Sequence, residues 1–287
     1  MPIAAVVLDF DPLLHLGDAV SVRWQTVALA VAVLVVLSAA GVAARRLRLR
    51  ADDLLYLAIG AVPGAVAGGR LGYALLAPDA FAAGPLSLFD PAVGGLELGL
   101  GVVGGVASAA LVVDVLGAPV GRWAHAMAVP LLALLVVGKV TMVVGGVGQG
   151  LPTDVAWATA YVGPGPWGSL APDVPSHPSQ LYEAAGTLVV AVIVLVAGVT
   201  GAFRARDGRR LLVAIAGWAL VRSAVSLTWR DGAVLGPLPV GGVLALAIAA
   251  GAMVGLALLA IWLPRRRAAR SEAGIPAWPD PDVRPPF

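Results

Sequence analysis

The stretch HAMAVPLLALLVVGKVTMVVGGVG, residues 125–148, decides the fold class, because Lys139 is its only residue with a full charge. Wound as an α-helix, such a stretch would run about 36 Å, longer than the roughly 30 Å hydrocarbon core of a bilayer. It has no polar face to offer water, so it reads as a membrane span. The same reading carried outward finds six more, placing spans at roughly 22–43, 54–76, 94–116, 125–148, 183–203, 211–229 and 238–263. The bulk numbers agree. Of 287 residues, 59% are hydrophobic and 13% charged, with a mean hydropathy of +0.91, which excludes an ordinary soluble domain. The expectation is an all-α integral membrane protein of seven transmembrane helices.

The loops set the orientation. Arg45, Arg46, Arg48 and Arg50 follow the first span, Arg122 precedes the fourth, Arg204, Arg206, Arg209 and Arg210 follow the fifth, and Arg265, Arg266, Arg267 and Arg270 follow the last. All fall on one side of a seven-span chain, whereas the other side carries Arg23 and Arg230 among Asp79, Asp90, Asp154 and Asp173. Basic loops stay cytoplasmic, so the N-terminus is expected outside and the C-terminus in the cytoplasm. The pI near 9.4 comes from these runs, and no nucleic-acid partner is expected. Residues 1–21, with Asp9, Asp11 and Asp18 and no basic start, read as an external leader rather than a cleaved signal. The 22–263 domain carries an external loop at about 149–182 whose six prolines bar a long helix and which could cover a site. Residues 264–287 read as a basic, Pro-rich cytoplasmic tail, an electrostatic anchor followed by disorder. The chain has no Cys, hence no disulfide, thiolate metal site or cysteine nucleophile of its own; no metal or cofactor is expected. Its 36 Gly suit helices packed closely through small residues.

Arg70, Lys139 and Arg222 each lie inside a separate span. A cation near the bilayer centre costs about 2.5–3.5 kcal/mol on insertion scales and is by default functional. Spans 2, 4 and 6 run outward in this topology, so all three cations fall in the outer half, joined by Glu97 and Glu183 at the outer starts of spans 3 and 5. They are expected to face one cavity that takes an anionic ligand. Arg70, in Gly68-Gly69-Arg70-Leu71-Gly72-Tyr73, suits bidentate phosphate binding; its bland alternative is a lock to Glu97 or Glu183. Lys139, the sole lysine, could instead snorkel to the interface. Trp218 and Arg222 share a helix face at i and i+4. His177 opens the string His177-Pro178-Ser179-Gln180-Leu181-Tyr182-Glu183. It could be a general base near neutral pH or a turn residue, and Ser179 could cap the helix that follows.

These motifs, with the Gly94-Gly95 entry to span 3 and Gly217-Trp218-x-x-x-Arg222, occur in the order and spacing of the bacterial prolipoprotein diacylglyceryl transferase family, which the chain resembles over roughly residues 20–263. The His-Pro-Ser-Gln-Leu-Tyr-Glu string is the most specific element. The resemblance implies a multi-pass enzyme of the bacterial plasma membrane that moves diacylglyceryl from phosphatidylglycerol to the lipobox cysteine thiol of a prolipoprotein at the outer leaflet. Its partners would be phosphatidylglycerol, or another anionic phospholipid, and prolipoproteins. Carried over by position, Lys139 and Arg222 become catalytic residues, and Arg70, Tyr73, Glu97, Gln180, Tyr182, Glu183 and Trp218 substrate-binding ones; with glycine at 99, His177 joins the catalytic residues as the general base, with Glu97 and Glu183 as carboxylate alternatives. The chain departs from the family pattern where the family's histidine is Gly99, its arginine Lys139, its asparagines Met142 and Gly145, its glutamates Val147 and Ser226, and its tyrosine Trp218. Those departures leave two alternatives, a catalytically degenerate homologue that binds anionic lipid or a lipoprotein partner, and a small-molecule permease.

Overall fold

The computed structural model describes residues 5–17, 20–82, 84–90 and 92–272. Its helices are α1 (Trp24–Arg46), α2 (Asp53–Leu76), α3 (Leu98–Val115), α4 (Val120–Val144), α5 (Ser179–Val199), α6 (Arg209–Val225) and α7 (Val240–Glu272). All seven are long and apolar enough to cross a bilayer, and the chain is a multi-pass membrane protein. Large aliphatic side chains stay exposed along their outer faces, among them Leu34, Val35, Ile59, Val192 and Ile193, as lipid-facing positions should. α6 is the most enclosed helix. It buries Leu211, Ala214, Ile215, Ala216, Trp218, Ala219 and Arg222 against α4, α5 and α7, so it can carry a charge away from lipid.

α2 and α3 meet through residues without side chains. A Cβ at Gly64 would strike the carbonyl of Gly104, and one at Gly68 the carbonyl of Leu100. Ser108 Oγ donates to the Gly60 carbonyl at 2.7 Å across the same seam. With no hydrophobic drive between helices in lipid, such close packing supplies the association.

Connections gather at two ends. At one, Arg122 Nη2 donates to the Leu47 carbonyl and Gly121 packs on the backbone of Arg206 and Asp207; this end carries the basic loops. The other holds the segments 77–97, 145–178 and 226–239 together with the N-terminal residues. There β1 (Val6–Leu8) pairs in parallel with β4 (Thr159–Tyr161), while β2 (Leu13–His15) and β3 (Ser21–Arg23) form a hairpin. Phe10 meets the Trp167 ring edge-on at 5.0 Å, so the described part of the leader is packed onto the long loop. A short hairpin of β5 (Ala233–Leu235) and β6 (Leu238–Pro239) leads into α7.

Helix ends differ from the sequence reading in instructive ways. α4 stops at Val144 rather than 148, because Gly146 and Gly148 adopt φ of +63° and +83° and turn the chain away. α5 begins at Ser179, inside the His-Pro-Ser-Gln-Leu-Tyr-Glu string. Ser179 does not cap it; its hydroxyl instead meets Thr228 Oγ1 at 2.6 Å. α3 begins only at Leu98, since Gly94, with φ of +68°, and Gly95 leave the helical path where they pass against the Tyr73 ring. α7 continues to Glu272, and Asp18 and the tail beyond 272 lie outside the described residues.

Candidate functional site

Four charged side chains from four helices converge near the end opposite the basic loops. Arg222 of α6 donates through Nη1 to both oxygens of Glu183, at 3.1 and 3.2 Å, and through Nη2 to Glu97 Oε1 at 3.0 Å. Lys139 of α4 holds Glu183 Oε2 at 2.8 Å. Glu97 stands before the first turn of α3, where its carboxylate accepts the N–H groups of Gly99 and Leu100 at 2.6 and 2.7 Å. That is the place where a helix offers unpaired donors and a positive dipole end to an anion. Glu97, Glu183 and Arg222 are 3%, 1% and 6% exposed, so each needs the others. The charges of two cations and two carboxylates cancel, which is how a membrane interior tolerates them.

A cavity of about 200 Å³ opens against this cluster, lined among others by Lys139, Gln149, Gln180, Glu183, Arg222 and Trp229. The Trp229 ring centre lies 4.7 Å from the Arg222 guanidinium carbon and covers its face. Gln149 Nε2 donates to the Thr159 carbonyl at 2.8 Å, and Gln180 Nε2 to the Tyr161 hydroxyl at 3.4 Å. Burial pushes the Tyr161 phenol up to about 12, so it stays neutral. Among the described residues the side-chain carbonyl oxygens of Gln149 and Gln180 and Arg222 Nε are buried without a hydrogen-bond partner. Arg230 also lines the cavity and is fixed by the Gly150 carbonyl at 2.7 Å and Ser176 Oγ at 2.9 Å.

Of the residues singled out from the sequence, Glu97, Lys139, Glu183 and Arg222 come together, and Gln180 forms part of the wall. Trp218 is fully buried one turn from Arg222. His177 Nδ1 lies 3.1 Å from the Tyr182 hydroxyl, which also accepts from Trp157 Nε1 at 2.7 Å; His177 and Tyr182 are outside the cavity lining. Tyr73 packs edge-on against Phe81, with 6.1 Å between ring centres. Arg70, expected in the same cavity as Lys139 and Arg222, is not among the residues that line it. Its guanidinium is spent on backbone carbonyls of the α2–α3 connection, and neither carboxylate pairs with it. Gln149, Trp229, Arg230 and Asp231 line the cavity without having been singled out; they flank the ends of spans, where one polar or aromatic residue carries little pattern. At Gly99 a Cβ would meet Ile248 Cδ1 at 2.9 Å and the Glu97 oxygens at 3.0 and 3.1 Å.

Comparison with known proteins adds a family. A family model described as prolipoprotein diacylglyceryl transferase matches residues 12–261. Relatives named phosphatidylglycerol–prolipoprotein diacylglyceryl transferase include one from Trichormus variabilis, 27% identical over 93% of this chain and 94% of its own length. Another, from Solidesulfovibrio magneticus, is 32% identical over 77% of this chain and 78% of its own. A third, from Paramagnetospirillum magneticum, is 32% identical over 77% and 79%.

Proposed function

Since the chain belongs to the prolipoprotein diacylglyceryl transferase family, we propose that it transfers diacylglyceryl from phosphatidylglycerol to the cysteine thiol of a prolipoprotein. The reaction takes place at the outer leaflet of the bacterial plasma membrane. The observation that carries this reading is the pairing of Lys139 and Arg222 with Glu183 at the wall of the cavity. Both cations can turn from a carboxylate to a phosphodiester, an anion that carries the same single charge and likewise presents two oxygens to a cation. The basic loops at the far end support an outward-facing cavity.

The reaction makes one bond and breaks one. The prolipoprotein sulfur attacks the glyceryl carbon that bears the phosphate ester; a carbon–sulfur bond forms, the carbon–oxygen bond breaks, and glycerol phosphate leaves with the electron pair. Lys139 and Arg222 stabilise the charge that gathers on the departing phosphate. A free thiol has a pKa of about 8.5 and must lose its proton. Two acceptors enter the proposal. Glu183 lines the cavity and loses its partners as they turn to phosphate, whereas His177 sits outside against Tyr182; geometry favours Glu183. Gln180 and Gln149 offer their free carbonyl oxygens to hydroxyls of the lipid headgroup.

One observation favours a second reading, a lipid-binding homologue without turnover: Gly99 places no side chain where the family pattern has histidine. A reconstituted assay with phosphatidylglycerol and a lipobox peptide separates the two. Thioether product supports the transferase; retained phosphatidylglycerol binding without product, across pH 6 to 9, would overturn it in favour of the binding homologue.

A further inference from the structure

The connection between α2 and α3 leaves its backbone in an unusual place. Glu97 N–H pairs with the Gly69 carbonyl at 2.9 Å, so the non-helical residues before α3 descend beside α2 to a level about 10 Å below its end at Leu76, at 1.5 Å per residue. Non-helical backbone at such a depth has no water to satisfy it. Here Arg70 supplies the donors. Its Nε donates to Leu88 O at 2.8 Å, Nη2 to Ser87 O at 3.2 Å and Asp90 O at 2.6 Å, and Nη1 to Val93 O and to Gly95 O at 3.5 Å. Five N–H groups, the whole capacity of a guanidinium, meet five carbonyls. The Phe81 ring, 5.3 Å from the guanidinium carbon, closes the remaining face.

The outer surface of the same segment carries large apolar side chains. Leu86 and Phe89 lie in the 3₁₀ turn Pro85–Phe89, where residues three apart stand above one another, and they are 82% and 83% exposed; Leu96 further on is 59% exposed. Five of the segment's carbonyls are turned inward onto one cation, and its exposed large side chains are apolar, while Leu88 and Val93 are half-buried and the exposed Asp90 carboxylate accepts the Ala92 N–H at 2.9 Å; that division suits the boundary between a nonpolar solvent and water. We propose that residues 85–90 and 92–96 lie in the bilayer itself, at the boundary of headgroups and acyl chains, with Leu86 and Phe89 against the chains. Arg70 is the residue that allows it to lie there. In this assignment Arg70 is a positioning residue rather than a phosphate ligand, and the inference is independent of the transferase reading.

The absence of native Cys makes the test direct. Leu86→Cys and Phe89→Cys are labelled one at a time with a nitroxide, and the intact chain is reconstituted in vesicles of phosphatidylcholine with one quarter phosphatidylglycerol. Collision rates with oxygen and with a water-soluble nickel chelate are then compared, using Asp173→Cys, an exposed loop position, as the water reference. The expected result is a nickel collision rate at least fivefold lower at 86 and 89 than at 173, with oxygen favoured. Nickel access equal to that at 173 would overturn the proposal. Adding Arg70→Met should bring nickel access at 89 up to the reference value; unchanged access would remove Arg70 from its role. If Arg70→Met is not recovered folded, Arg70→Lys, with three donors in place of five, is read by the same two outcomes.

Discussion

At the scale of single residues, Arg222 holds the charge cluster together. Arg222→Ala leaves two buried carboxylates short of a partner, and removing one member of a buried ion pair costs about 3–5 kcal/mol. Glu97 keeps its two helix N–H groups and Glu183 keeps Lys139, so the lower end of that range is expected in thermal unfolding in detergent, together with loss of transfer. The proton acceptor is separable by kinetics. Glu183→Gln should lower kcat at least a hundredfold, while His177→Ala, whose imidazole faces Tyr182 rather than the cavity, should stay within about tenfold of the parent, on the usual 10²–10⁴ contribution of a general base. The reverse order would return the role to His177. The cations were legible in the sequence because a bilayer makes each of them conspicuous. Glu97 and Glu183, which pair with Lys139 and Arg222, were legible for the same reason, but the partners of Arg70 were not: it binds backbone carbonyls, which every residue possesses and no motif reveals. The direction of His177 was equally hidden, since it depends on where α5 begins and therefore on whether position 177 precedes or joins the helix.

At the scale of elements, the α2–α3 seam is where small residues matter most. A Cβ on Gly104 would meet only backbone, with Gly64 C at 2.9 Å and Gly68 Cα at 3.2 Å, so no side chain can swing aside and the helices must part. Gly104→Ala should therefore cost about 1–3 kcal/mol, the usual range for overpacking. Gly138→Ala, on α4 with nothing within 4 Å of its Cβ, is the control and should be neutral or gain up to about 1 kcal/mol from helix propensity. Equal thermal shifts for the two would show that the seam is looser than drawn. The existence of all seven helices could be read from apolar length alone, because the bilayer sets a minimum that few other segments meet. Their ends could not. Gly94–Gly95 and Gly145–Gly148 leave the helical path while remaining apolar, so a hydropathy reading runs straight through them.

At the scale of the whole molecule, the two ends of the bundle differ in charge, and that asymmetry predicts how it sits in the membrane. The end with Arg45, Arg46, Arg122, Arg204 and Arg210 should be cytoplasmic and the cavity end external. What the sequence concealed at this scale is the docking of its own first residues: β1 meets β4 across about 150 positions of chain, and three valines and leucines pairing in parallel leave no local pattern. That docking does not alter the charge argument, since the N-terminal residues and the long loop lie at the same end of the bundle, opposite the basic loops. Single cysteines test it on intact cells with a membrane-impermeant maleimide. Asp173→Cys, exposed beside β4, should react before lysis, and Ala205→Cys, exposed in the connection between α5 and α6, only afterwards. Labelling in the opposite order would invert the protein in the membrane, place Lys139, Glu183 and Arg222 near the inner leaflet, and exclude the proposed reaction at the outer one.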